Sequence, residues 1–230
     1  MNYPQKNNSS DKIAAIEEIG DNHFTSSCET PLRKDAFDTN DEIKIKLIEK
    51  HFSEIMNILG LDLTDDSLSG TPRRVAKMYV KEIFSGLNPV NRPEVRLFEN
   101  IYKYKEMLIE KDISFYSMCE HHFAPIIGKA HIAYKPNDKV VGLSKLNRIV
   151  RYYAKRPQVQ ERMTMQIALD LQKSLDTNDV AVIVEAKHLC VSMRGVKDDT
   201  SSTITSHFCG SFENEKDREE LFKYLQLTSE

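Results

Sequence analysis

The densest run of metal-ligating and proton-carrying side chains in the sequence is Cys119-Glu120-His121-His122. Cys119 and His122 stand three apart, close enough to bind one ion from a turn at a strand end. A second donor pair, His188-Leu189-Cys190, comes directly after an apolar run that starts at Val180. Cys119, His122 and Cys190 together make a set of two thiolates and one imidazole. Catalytic zinc sites often take three protein ligands and leave the fourth position to water, whereas structural sites normally close it with a fourth. This soft and borderline donor mix suits zinc better than magnesium or calcium. A lone C-x-x-H is a weak signal; the second Cys/His pair at the end of a core strand strengthens it.

His121 and His188 each flank a ligand candidate. An imidazole beside a metal can move protons near neutral pH, as an oxygen or nitrogen leaving group requires. The plainer alternative is that one of them orients a ligand. His23, His51, His131 and His207 are expected in solvated or structural roles, and Cys28 and Cys209 as surface or packing residues.

Arg74, Lys77 and Lys81 share one helix face, which is commonly no more than a solvated stripe. Further cations recur around the metal motif: Lys145 and Arg148, Arg156 and Arg162, then Arg194. Helix starts and arginine forks bind phosphate well, so a triphosphate is a reasonable guest. Gln158-Val159-Gln160-Glu161-Arg162 sits where a long helix begins. The Glu161 carboxylate can accept two hydrogen bonds from an amidine-like N–H and NH₂ edge, such as guanine presents. Alternatively it is a first-turn acid favoured by the helix dipole.

The elements that must position these residues are read from periodicity. The chain has 230 residues, 40% hydrophobic and 29% charged, enough for a buried core under a solvated surface. Residues 1–40 are polar and lack a sustained apolar period, and are read as a flexible arm. Residues 41–93 form a helical region. Ile48, Phe52, Ile55 and Leu59 mark one helical stripe, closed by Gly60. Thr71 is expected to cap a second helix, with Pro72 in its first turn, that continues through Ile83 to Gly86.

Residues 94–230 alternate sheet and helix. Strands are expected over 107–117, around Ala130–Tyr134, over Val180–Val184 and within Thr200–Phe212. Helices are expected over Leu143–Ala154, with Ser144 as cap, from Met163 to Leu175, and over Glu215–Leu225. This order implies an α+β fold, an antiparallel sheet with two helices on one face.

Net charge is −3, which argues against a broad nucleic-acid-binding face. No apolar run approaches the roughly 20 residues of a membrane span. The polar N-terminus lacks a signal-peptide pattern, so a cytoplasmic protein with unpaired cysteines is expected.

Several blocks resemble the GTP cyclohydrolase I family. They are Thr71-Pro-Arg-Arg-Val-Ala-Lys-Met78, Cys119-Glu-His-His122 with Pro125 and Gly128, and Gly142-Leu-Ser-Lys145 with Arg148. Gln158-Val-Gln-Glu-Arg162, His188-Leu-Cys190 and Arg194-Gly-Val196 come next, and the likeness runs from about residue 41 to the C-terminus. It implies a T-fold, toroidal homodecamers with active sites at subunit interfaces, and zinc on Cys119, His122 and Cys190. In that family a zinc-bound water attacks C8 of GTP while a histidine, here His121 or His188, protonates N7. Ring opening, formate release, rearrangement and closure then give 7,8-dihydroneopterin triphosphate, the first step of pterin and tetrahydrofolate synthesis.

Glu161, with Gln160 nearby, resembles the guanine anchor. Ser144 and Lys145 resemble residues at the ribose and phosphates. Arg74, Arg148 and Arg194, with Lys77, resemble the triphosphate clamp. Phe123, Ile126 and Cys209 depart from the family pattern without removing a ligand. Two rivals differ from this reading: a T-fold relative acting on a pterin or deazaguanine, which would use three histidines or a nucleophilic cysteine, and a zinc-stabilised scaffold, which would need a fourth ligand.

Overall fold

The computed structural model describes residues 28–227, so residues 1–27 of the expected arm lie outside the described residues. Helix α1 (Asp41–Ile58) opens on Asn40, whose side chain accepts from the Ile43 N–H, and carries Asp41 and Glu42 in its first turn. Its inward face differs slightly from the expected stripe. Ile45 and Met56 are buried, whereas Ile55 and Leu59 are 49% and 71% exposed. The helix packs against α3 (Thr71–Met78), while Ile55 and Leu59 stay largely in solvent. Gly60 ends it with φ +83°, a conformation that favours glycine.

A short helix α2 (Asp66–Ser69) leads into α3 (Thr71–Met78). Gly70, not Thr71, occupies the cap, and the Thr71 hydroxyl instead accepts from Arg74 at 2.9 Å. Beyond Met78 the backbone widens into a π-helical turn, Tyr79–Ile83, which ends at Phe84. Such turns are uncommon and frequently lie at functional places. Arg92, in the segment before β1 (Leu97–Glu99), hydrogen-bonds to buried Asp170 of α5 (Gln160–Leu175) and so ties the helical region to that helix.

Strands β1 (Leu97–Glu99) and β4 (Lys139–Val141) form a separate antiparallel pair. The main sheet has the order β5-β2-β3-β6-β7. Its members are β2 (Leu108–Cys119), β3 (Pro125–Tyr134), β5 (Pro157–Gln158), β6 (Val180–His188) and β7 (Thr203–Phe208). Every pairing is antiparallel except β5 with β2, a two-residue parallel contact that the local pattern did not announce.

Helices α4 (Leu143–Ala154) and α5 (Gln160–Leu175) lie on one face, as expected. Gly142 caps α4 without any side-chain bond, so Ser144 is not its cap. Phe115, Ile132, Tyr134, Leu146, Ile167 and Val182 are among the buried residues between helices and sheet. Each such aliphatic side chain contributes about 1.5–3 kcal/mol when removed from water. On the opposite face, the C-terminal α7 (Glu215–Gln226) covers one end of the sheet through Leu221, over Ala133, Ala181 and Ile183. At Gly128 the strands approach so closely that a Cβ would stand 2.3 Å from the Glu185 carbonyl oxygen. No helix among the described residues is long and apolar enough to cross a membrane.

Candidate metal centre

The chemistry-bearing residues collect where β2 ends and β6 ends. β2 delivers Cys119 to a tight turn in which Cys119 N–H donates to Ala124 O at 2.8 Å and Phe123 N–H to Cys119 O at 2.9 Å. Phe123 closes this turn with φ +51°, and its ring packs edge-on to Phe84 with centroids 5.2 Å apart. β5 holds the other side: Cys119 registers with Gln158, and Glu120 N–H donates to Gln158 O at 3.1 Å. His188, the last residue of β6, registers with Ile126 of β3. The single turn α6 (Leu189–Ser192) then brings Cys190 back toward Cys119.

The result is a group of three ligand atoms, from Cys119, His122 and Cys190, all within 4.8 Å of one another. Cys119 is buried, Cys190 half-buried and His122 exposed, so the group opens to solvent on the histidine side. Neither cysteine is in a disulfide. Burial pushes the Cys190 thiol up to about 11, and the adjacent Cys119 sulfur adds to the shift. Two sulfurs in contact resist ionising together unless a cation lies between them, and a bound metal deprotonates its thiols outright. The donors already draw positive charge: an Arg194 guanidinium nitrogen lies 2.6 Å from His122 Nε2. The residues present therefore fit a soft divalent ion.

His188 is oriented from beneath. The Gln160 side-chain amide donates to Val184 O at 3.1 Å, Thr203 O at 2.9 Å and Thr205 Oγ1 at 3.2 Å. Carbonyls only accept, so the amide nitrogen is fixed there and Oε1 must face His188 Nε2, at 2.7 Å. In the neutral ring the His188 proton consequently sits on Nε2. Burial lowers the His188 pKa, an effect that nearby Glu161 opposes. His121 stands on the other side of the turn, its Nε2 3.7 Å from a Glu120 oxygen. Glu120 itself takes both arms of the Arg162 fork, at 2.6 and 3.0 Å.

The remaining candidates are dispersed. Glu161 is exposed at the start of α5, beside buried Gln160. Arg148 shares a cavity of about 390 Å³ with Lys81, Arg151 and Lys155. Arg74 bonds back to Ser67 O and Thr71, and Lys77 is exposed on the same helix. Ser144 is exposed and Lys145 half-buried on α4. Among the described residues no hydrogen bond or ion pair joins Arg74, Lys77, Ser144, Lys145 or Arg148 to the metal group. Two cations in the set of candidate phosphate binders are engaged elsewhere. Arg156 is buried, donates to Gly86 O and lies 4.6 and 4.5 Å from the Tyr152 and Tyr153 rings. Arg162 is held by Glu120.

The family model for GTP cyclohydrolase I matches residues 48–226. The chain belongs to that family. It is 58% identical over 215 residues to GTP cyclohydrolase 1 of Flavobacterium johnsoniae, covering 94% of this chain and 96% of the relative. Against GTP cyclohydrolase 1 of Yersinia pseudotuberculosis it is 53% identical over 194 residues, 84% of this chain and 87% of that one. The Escherichia coli enzyme of the same name is 53% identical over 186 residues, 81% and 84% of the two chains. Membership in the GTP cyclohydrolase I family makes the protein an enzyme with the family's T-fold. What sequence reasoning missed is how the site is braced. The Glu120–Arg162 fork and the Gln160–His188 bond join residues 42 and 28 positions apart, and no local pattern reports either.

Proposed function

We propose that the protein, with zinc bound, converts GTP and water into formate and 7,8-dihydroneopterin triphosphate. The observation that carries this is the convergence of Cys119, His122 and Cys190 from two strand ends on one open donor group, in a chain of this family. When bound there, zinc lowers the pKa of a water to about 7 and so supplies the nucleophile for C8.

The chain's own residues perform the rest. The Glu161 carboxylate accepts the N1–H and exocyclic amine of guanine, holding the base with C8 toward the metal group. C8 is weakly electrophilic until N7 receives a proton. His121 or His188, each adjoining a ligand, delivers it; with Nε2–H engaged by Gln160, His188 would deliver it only as imidazolium, from a second proton carried on Nδ1. Gln160, beside the guanine anchor Glu161, supports this step by orienting His188. Arg194 joins the metal side to the phosphate path, with Ser144 and Lys145 toward the ribose.

Arg74, Lys77 and Arg148 form the rest of the triphosphate clamp. They are exposed and untied to the metal group within one chain, which supports a clamp completed between subunits of a homodecamer. The test is metal analysis alongside a pterin absorbance assay with GTP, on protein whose assembly is measured by light scattering. The expected result is one zinc per chain, pterin formation by the assembled species and none by separated monomers. Zinc-loaded, assembled protein that leaves GTP intact would move the chain to a nucleotide-binding regulator.

A further inference from the structure

The first turn of α5 presents Gln160, Glu161 and Arg162 in succession, and each engages a different part of the site. Gln160 holds His188. Arg162 reaches into the metal turn and grips Glu120, with Nη1–Oε2 at 2.6 Å and Nη2–Oε1 at 3.0 Å. Between them Glu161 faces outward. The Arg162 side chain is 3% exposed and that of Glu120 is 17% exposed, so the pair is well shielded from water and salt.

Glu120 stands in the chain between ligand Cys119 and His121. Its backbone is already held at one point, by the N–H bond to Gln158 O at 3.1 Å. The Cys119 N–H to Ala124 O and Phe123 N–H to Cys119 O bonds close the turn on itself, but neither ties it to α5. A planar two-bond fork adds the second constraint, fixing both distance and angle. A buried ion pair of this kind is weak evidence for net stability, because desolvation offsets most of the attraction. Its geometric effect is the stronger reason for its presence.

We propose that Glu120 and Arg162 are a positioning pair: they lock the Cys119–His122 turn in register with the helix turn bearing Glu161, and so set where C8 of the base meets the metal group. This rests on the proposed roles of Glu161 and the donor group. Neither side chain needs to touch substrate. Their effect comes through the relative placement of anchor and reaction centre, where an error of about 1 Å can cost on the order of 100-fold in rate.

The experiment compares the full-length wild type with Arg162→Lys, which keeps the charge and loses the fork. Zinc per chain, thermal unfolding, kcat and KM for GTP are measured on each. Zinc should remain at the wild-type ratio and KM should stay within about threefold, while kcat falls about 10- to 100-fold. Glu120→Asp, one methylene shorter, should give the same pattern and serves where Arg162→Lys does not assemble.

Unchanged kcat and KM with a lowered unfolding temperature would reduce the pair to packing and overturn the proposal. A raised KM with kcat intact would make it a direct substrate contact, which also overturns it, as would zinc loss in proportion to lost activity. An inactive, zinc-loaded wild type would sink the GTP reading itself, whereas an active wild type with indistinguishable variants would sink the pair alone.

Discussion

The two ends of the main sheet differ in a way that cavity size alone misrepresents. A cavity of about 1080 Å³ lies at the far end, between the β1 and β3–β4 loops and the C-terminus of α5. Lys103, Lys105 and Lys139 line it together with Glu99, Asp138 and Asp176, so opposite charges alternate around an open space. Two further lining groups already have partners: Lys135 pairs with Asp217 at 2.6 Å, and Asp179 accepts from Ser211 N–H at 2.7 Å. At the metal end two thiols, an imidazole and a guanidinium crowd together instead. Volume records where loops stand apart. Convergence of donors that disfavour one another without a partner ion records where a ligand belongs.

The sharpest way to break this contrast is at the metal end. Cys190→Ala removes one of three donors and should abolish both zinc content and turnover, read as metal per chain and pterin formed from GTP. An active, zinc-replete Cys190→Ala protein would show that the three donor atoms do not act as one site. Next in size is His121→Ala. It should retain zinc and lose about 10²- to 10⁴-fold in ring opening, the usual contribution of a positioned acid or base. Zinc loss in this variant would make His121 a ligand and contradict the division of roles between His121 and His122.

Much of this contrast is readable from the sequence. Cys119, His122 and Cys190 are identifiable because their residue types are unusual together and each pair comes after a strand signal. Period locates α4, α5 and the strand at Val180, since each buries a face visible in its own composition, whereas capping misplaces the start of α4 and the α1 stripe is only partly buried. Other features lack a local signature. The two-residue strand β5 exists only because β2 is there to pair with, and the π-turn at Tyr79–Ile83 looks in sequence like an unbroken helix. The basic residues are the least legible. Arg74, Arg156, Arg162 and Arg194 are one residue type in sequence. Burial against Tyr152 and Tyr153, or opposite Glu120, separates two of them from any role on phosphate.

A smaller effect, on stability and not chemistry, is expected between the two ends. Asp170 accepts from Arg92, Tyr153 and Ser174, and joins the segment before β1 to the C-terminal half of α5. Burial acts to raise its pKa, but hydrogen bonds from Arg92, Tyr153 and Ser174 outweigh it and hold the carboxyl below the ordinary value. Arg92 responds in the matching direction, its pKa raised chiefly by the Asp170 bond. A carboxylate with a depressed folded pKa contributes stability above its unfolded value, about 3.9, and loses it as pH falls through the folded one. Asp170→Asn should therefore cost about 2–3 kcal/mol at pH 7, discounted for the 44% exposure of Arg92, and the gap to wild type should close below about pH 4. Turnover per folded molecule should be unaffected. A constant gap from pH 7 to pH 3 would mean that lost packing, not lost charge, is the cause.

The smallest effect belongs to the far cavity, and it tests the comparison from the other side. Lys139 lies on β4 with its side chain exposed, and Lys103 sits in a loop at φ +49° that Asn100 stitches to Tyr104 O and Asn137 O. Neither lysine's side chain has a hydrogen-bond or ion-pair partner among the described residues. Replacing an exposed, unpaired lysine commonly changes stability by no more than about 0.5 kcal/mol. A double variant, Lys103→Ala with Lys139→Ala, should leave zinc content unchanged and keep kcat/KM for GTP within about twofold of wild type. A tenfold fall in kcat/KM at unchanged zinc would give the far cavity a part in handling substrate. The dominance of the donor-rich end would then fail, because charge spread around an open space would be contributing to the reaction from the other end of the sheet.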